Sequence, residues 1–453
     1  MGFRDKVLFR SYGKQHMKEI VPAPPPLVRN DVAAVQKLFQ QHVVPSYGRF
    51  EIVLSHGAGS YVYDITGKRY LDLGGGIAVS ALGHAHPAIT EALVEQSRKL
   101  IHTSNFYYHE PQGRLAQALT GLIAPGKCFF CNSGAEANEG LFKLARKFGH
   151  EDGRFEVITT TNSFHGRTLA GIAATGQDKV KKGFEPMTPG FRQVPYNDLD
   201  AVRNAISPAT AAVLIEGIQG EGGVSPARPE YLLGLRSLCD EKKLLLMMDG
   251  VQDGHFRTGR FQSFQRILEN SSGAQANGEA PLPGFLPDAI SMAKSLGGGF
   301  PIGAFWIRAP YSDLLGPGAH GSTYGGSPLG CAVALKVLEV IQREKLADNA
   351  RQVGAFIMRR LNDIADKYPQ VLRSARGLGM MVGIELATNV PNLPGDASRT
   401  QAARFAQLLH GAGVLTIPTG TQVLRLLPPL NLRQTEAEEG LHTLEGLAQK
   451  LAD

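Results

Sequence analysis

The chain has 453 residues, 43% hydrophobic and 19% charged, which excludes intrinsic disorder and predicts two or three packed domains. Its 53 glycines keep no strict period and no apolar run approaches the roughly 18 residues of a spanning helix, so collagenous and membrane-spanning classes fall away. The net charge of +6 is too mild and scattered for a nucleic-acid surface, and four cysteines are too few for a disulfide framework, fitting a reducing, cytoplasmic compartment.

Residues 1–29 carry Arg4, Lys6, Arg10, Lys14 and Lys18, interrupted by Asp5 and Glu19. No apolar core follows them, so the segment reads as a basic arm rather than a secretory signal, closed by four prolines over 21–28. Short apolar runs at 155–160, 212–215, 244–248 and 289–292 read as strands buried on both faces. Helical spacing over 135–148, 229–241 and 328–343 alternates with them, which is the pattern of an α/β domain with a mostly parallel sheet. After 328 the pattern changes to long helices with strands at 380–386 and 423–427, a second and smaller α+β domain. Stretches 270–287 and 389–398, rich in Gly, Ser, Asn and Pro, read as loops.

In open α/β sheets ligands collect where strands end, and four such places are unusual. In Phe129-Phe130-Cys131-Asn132-Ser133-Gly134-Ala135-Glu136, Ser133 and Glu136 form a capping box. Gly134 and Ala135 then let a phosphate approach the free N–H groups of the new helix, unless it is simply a well-capped helix. Cys128 and Cys131 make a C-x-x-C pair without a second ligand pair, read as structural rather than redox or zinc-binding. Asp249 closes the apolar run Leu244 to Met248 and therefore requires a cationic partner, either a nearby Lys or Arg or a protonated pyridine nitrogen. Lys294 follows the 289–292 strand and precedes Gly297-Gly298-Gly299. The glycines come after the lysine, so this is no P-loop; a lysine held there, its pKa lowered by burial, suits Schiff-base chemistry. Finally, Ser322 and Thr323 offer hydroxyls to an anion just before the Ser327-Pro328 helix start.

The segments FFCNSGAEANEG, NSFHGRTLAG, QGEGG, DGVQDGHFRTG, AKSLGGGFPIGA and HGSTYGGSPLG stand in the order and approximate spacing of the class III aminotransferases. These are pyridoxal 5'-phosphate enzymes of fold type I, and the chain resembles them from about Tyr47 to its end. Within the class it is most similar to the acetylornithine aminotransferases, with ornithine and 4-aminobutyrate aminotransferases as near relatives. The resemblance implies a large cofactor-binding domain over 76–327 and a small domain assembled from 30–75 and 328–453.

It also implies roles. Lys294 resembles the lysine that holds the cofactor and then moves a proton between substrate and cofactor carbons. Asp249 resembles the carboxylate that keeps the pyridine nitrogen protonated. Phe164 and Val251 would sandwich the ring, Gln252 would bond its phenolic oxygen, and Glu216 would lie close by. Ser133, Gly134 and Ala135 would cradle the phosphate, reached by Thr323 from a second copy, so that a homodimer shares its active sites. Arg167 resembles the clamp for the distant carboxylate of an ω-amino donor, and Arg425 the partner of the α-carboxylate of glutamate or 2-oxoglutarate. Without the surrounding motifs either arginine would read as a member of a structural ion pair. Glu221 resembles the gate that pairs with Arg425, and Ser322 a further donor contact. No metal is implied.

The reaction implied is transfer of the terminal amino group of N-acetylornithine to 2-oxoglutarate, as in arginine biosynthesis. Ornithine, 4-aminobutyrate or another ω-amine is the alternative donor, and a non-catalytic phosphate-ligand binding protein is the alternative of another class. Two positions depart from the class pattern: Gly250, where an acidic residue is usual, with Asp253 close behind, and Gly217, where a proline is usual.

Overall fold

The computed structural model describes residues 31–271 and 285–453. The basic arm expected over 1–29 and most of the 270–287 loop lie outside the described residues. Seven strands form the central sheet, in the order Gly126–Cys131, Gly303–Arg308, Ala289–Met292, Leu245–Asp249, Thr210–Glu216, Glu156–Thr160 and Phe191–Val194. Each expected strand is present with its ends moved by no more than two residues. The 244–248 run becomes Leu245–Asp249 and so takes in the carboxylate.

The apolar runs are continuous because both faces of the sheet are covered. Leu245 and Met247 face one core with Leu141 and Leu144 of the helix Gly134–Gly149, while Leu246 and Met248 face the other. Successive side chains of a strand point to opposite faces, so a strand in the middle layer is apolar at every position. Each such Leu or Met, fully buried, contributes about 1.5–3 kcal/mol relative to exposure.

The sheet is parallel except for Gly303–Arg308, which runs antiparallel to both neighbours. This strand was not among the expected ones. Its cause lies just upstream: Gly298 and Gly299 take φ values of 56° and 118°, and the Phe300 amide donates to the Gly297 carbonyl at 3.0 Å. That turn reverses the chain straight after Lys294, and the lysine is left at the apex.

Two further four-stranded sheets flank this unit. One joins Leu54–Ala58, Tyr61–Asp64 and Arg69–Asp72 to Val414–Leu415, which pairs in parallel with Arg69–Asp72, so it draws on both ends of the chain. The other orders Leu372–Leu378, Met381–Leu386, Val423–Leu426 and Ile417–Thr419 and is antiparallel throughout. The helices Leu346–Lys367 and Gln434–Ala452 pack on each other, the first also lying against Leu372–Leu378. No helix among the described residues is long and apolar enough to cross a membrane.

Candidate active site

Glu216, Asp249 and Ser291 stand side by side at the carboxyl ends of three adjacent parallel strands. A cavity of about 440 Å³ opens above them. Asp249 is 4% exposed. Its Oδ2 lies 2.8 Å from His165 Nδ1 and accepts from Asn138 Nδ2 at 2.8 Å, while Oδ1 accepts from the Val251 amide at 3.1 Å. Burial alone would raise its pKa, but the bonds from His165, Asn138 and Val251 outweigh it and hold the carboxyl below the usual range. Asp249 is therefore a buried, ionised carboxylate. Glu216 differs: burial, together with the charges of Asp249 and Asp253, pushes it well above the carboxylate range.

Lys294 lines the same cavity at φ 48°, a conformation unfavourable for a residue with a Cβ. Neighbouring anchors impose it, since Ser295 Oγ donates to the Ala78 carbonyl at 2.7 Å and the Gly297 amide to Lys294 O at 3.1 Å. Burial and the positive charge of Arg425 lower the amine to about 8, against the opposing charges of Glu221, Asp249 and Glu216. Its Nζ has no hydrogen-bond partner among the described residues.

At another wall, Ser133 caps the helix Gly134–Gly149, its Oγ accepting from the Glu136 amide at 3.2 Å. The capping box is completed one residue early, for the Glu136 carboxylate reaches the Asn132 amide rather than that of Ser133. Gly134 and Ala135 line the cavity. A Cβ on Gly134 would sit 2.7 Å from Val251 Cγ1, so glycine here lets Val251 close over the helix start. Phe164 and Val251 both line the cavity, and Arg167 stacks its guanidinium 5.5 Å from the Phe164 ring centre.

Arg425 is 1% exposed. Its Nη1 donates to Glu221 Oε1 at 2.6 Å and to Gln252 Oε1 at 3.3 Å, both acceptors belonging to cavity-lining residues. Arg167 also lines the cavity but is exposed, with no ion pair among the described residues. Ser322 and Thr323 do not line it. Ser322 Oγ accepts from Asn132 Nδ2 at 3.2 Å and from the Gly325 amide at 3.0 Å, and Thr323 is exposed.

Three residues of the site escaped sequence reasoning in their roles: His165, Asn138 and Asp253. His165 lay unremarked inside the FHGR segment and Asn138 inside GAEANEG. Cys128 and Cys131 are free on the strand Gly126–Cys131, and burial pushes both thiols up to about 12, so neither is poised as a thiolate.

The side chains present fit pyridoxal 5'-phosphate. A buried ionised carboxylate suits a protonated ring nitrogen, small residues at a capped helix start suit a phosphate, and an amine of lowered pKa lines the same cavity.

The model of the family described as aminotransferase class-III matches residues 43–447. An acetylornithine aminotransferase of Gloeobacter violaceus is 44% identical over 420 residues, 92% of this chain and 98% of the relative. Among solved structures, the ornithine aminotransferase of Toxoplasma gondii superposes with a TM-score of 0.83 at 31% identity, covering 93% of this chain and 96% of that one. The acetylornithine aminotransferase of Elizabethkingia anophelis gives 0.77 at 30% identity, covering 92% and 99%. With a buried aspartate, a strand-end lysine and a capped helix start in one cavity, and with this likeness along nearly its whole length, the chain belongs to the class-III aminotransferases, pyridoxal-phosphate-dependent transaminases of fold type I.

Proposed function

We propose that this transaminase moves the terminal amino group of N-acetylornithine to 2-oxoglutarate, a step of arginine biosynthesis. The observation that carries the reading is the inequality of the two arginines. Arg425 is already neutralised by Glu221 at 2.6 Å, whereas Arg167 presents an unpaired guanidinium to the cavity. An ω-amino donor brings one carboxylate far from its reacting amine. Arg167 can clamp it with two parallel hydrogen bonds, and Glu221 silences the second cation meanwhile. Glutamate brings a carboxylate beside the amine, for which Glu221 yields Arg425. The name borne by the 44% identical relative supports the donor.

Bound in this cavity, the cofactor supplies an electron-accepting ring and a carbonyl carbon that carries the amino group between the two half-reactions. Asp249, kept ionised by His165 and Asn138, would hold the protonated ring nitrogen. Lys294, its amine lowered to about 8, would hold the cofactor and then serve at its Nζ as the base and acid that carries a proton to and from the substrate. Phe164 and Val251 would flank the ring, Gln252 would bond its phenolic oxygen, and Ser133, Gly134 and Ala135 would receive the phosphate.

We also infer a homodimer in which Thr323 of each copy reaches the phosphate held by the other. The support is its exposure outside its own cavity, together with the exposed Phe106, Tyr107, Tyr108 and Tyr324 as apolar surface to bury.

The test is to mix the enzyme with each candidate donor and follow the visible band of bound cofactor as the amino group is taken up. Acetylornithine should convert it fastest. A faster response to ornithine or 4-aminobutyrate overturns the donor, and no cofactor band at all overturns the transaminase chemistry.

A further inference from the structure

Glu221 sits in a hairpin, residues 220–224, between two short paired strands, Ile218–Gln219 and Ser225–Pro226. The Ala227 amide closes its base on the Gly217 carbonyl at 2.8 Å. The first strand of that hairpin is held by a side chain from elsewhere: Asp253 Oδ2 accepts from the Ile218 amide at 2.7 Å and from Ser263 Oγ at 2.6 Å. Asp253 is 1% exposed and lines the cavity. Its neighbour Gln252 presses on the same hairpin, since a Cβ on Gly220 would collide with the Gln252 amide, and Gln252 also accepts from Arg425. On the far side Thr419 Oγ1 donates to the Glu221 carbonyl at 2.7 Å. The hairpin is thus held at Ile218 by Asp253, with Gln252 packed against Gly220, and at the Glu221 carbonyl by Thr419.

The two departures from the class pattern belong to this arrangement. A Cβ on Gly217 would collide with Ser263 Oγ and Asp253 Oδ2, so the bare backbone at 217 makes room for the Asp253 and Ser263 pair. A Cβ on Gly250 would collide with Gln262 Oε1, the residue before Ser263. Burial pushes Asp253 up to about 7 even against the bonds from Ser263 and Ile218, so the carboxyl is there at an energetic cost.

We propose that Asp253 is a positioning residue that fixes the Glu221 hairpin and, through the Glu221 and Arg425 pair, sets the balance between the ω-amino donor and glutamate. The proposal rests on the gate reading given above.

Three variants of the holoenzyme test it: Asp253→Ala, Asp253→Asn, which keeps an acceptor oxygen, and Glu221→Ala. Each is read by backbone hydrogen exchange over residues 218–226 and by the ratio of the glutamate to the acetylornithine half-reaction rates. Asp253→Ala should speed exchange within 218–226 alone and move the ratio toward glutamate by about threefold or more, in the direction Glu221→Ala takes. Asp253→Asn should stay close to the parent on both. A ratio unmoved by Asp253→Ala beside one shifted by Glu221→Ala overturns the proposal, as does loss of both half-reactions alike with exchange rising throughout. If Glu221→Ala leaves the ratio unmoved, the gate reading fails instead, and unchanged exchange at 218–226 in Asp253→Ala then overturns the anchoring itself.

Discussion

His165 and Asp249 meet at 2.8 Å between Nδ1 and Oδ2, with both side chains sealed from solvent. An ionised carboxylate can only accept, so the imidazole proton sits on Nδ1, and Asn138 supplies a second donor to the same oxygen. A hydrogen bond to a charged group contributes about 1.5–3 kcal/mol, so His165→Ala or Asn138→Ala should slow the donor half-reaction roughly tenfold or more. Stopped-flow absorbance of the bound cofactor checks this. Parent-like rates in both variants would remove His165 and Asn138 from the account of how Asp249 stays charged.

Lys294 makes stability depend on pH in a defined sense. Its amine titrates at about 8 in the folded chain and at the ordinary 10.5 when unfolded, so between those values the unfolded chain binds the extra proton. The cost of the buried charge is present in full below pH 8 and relieved as pH rises toward 10.5. Relative to Lys294→Met, the cofactor-free protein should therefore gain on the order of 3 kcal/mol across that window. Denaturant midpoints of the two proteins at either end of the window provide the comparison, and parallel curves contradict the lowered lysine.

Gly134 and Val251 form a steric pair in the wall of the cavity. Gly134→Ala places a methyl 2.7 Å from Val251 Cγ1, an overpacking that costs about 1–3 kcal/mol and displaces a side chain that lines the cavity. Weaker retention of cofactor on dialysis is expected. Adding Val251→Ala should restore part of it, so the two changes are non-additive; strictly additive losses would mean that the contact is not the cause.

The two arginines should separate by substrate. Arg167→Ala should raise the concentration of acetylornithine needed for half-saturation by about a hundredfold while affecting glutamate far less, because a bidentate charged contact to the distant carboxylate is lost. Arg425→Lys should do the reverse, since an ammonium cannot offer glutamate's α-carboxylate the planar fork of a guanidinium. Equal losses for both substrates in either variant would contradict the division of labour.

Much of this site was legible in the sequence because its chemistry sits at places where a residue type is out of keeping with its surroundings. Asp249 ends an apolar run and Lys294 precedes a glycine cluster, and each is odd enough to demand a partner. Partners brought from distant elements were not legible. Asn138 reaches Asp249 from a helix more than a hundred positions earlier, and no periodicity records that. Strand direction was equally hidden, because the apolar run of Gly303–Arg308 reads the same in a parallel or an antiparallel ladder. Asp253 was visible as a departure, but its purpose appears only when Ile218 and Ser263 are seen to converge on it.

The pairing of Leu71 with Val414 joins positions over three hundred residues apart. A ribosome builds the chain from the amino end, so the Arg69–Asp72 strand emerges with its antiparallel neighbour Tyr61–Asp64 long before Val414 exists. With Leu54–Ala58 they form a three-stranded meander whose open edge at Arg69–Asp72 must wait through the synthesis of the entire central sheet. These early strands are therefore secured late, and the nascent chain depends on the Val414–Leu415 strand to cover their edge.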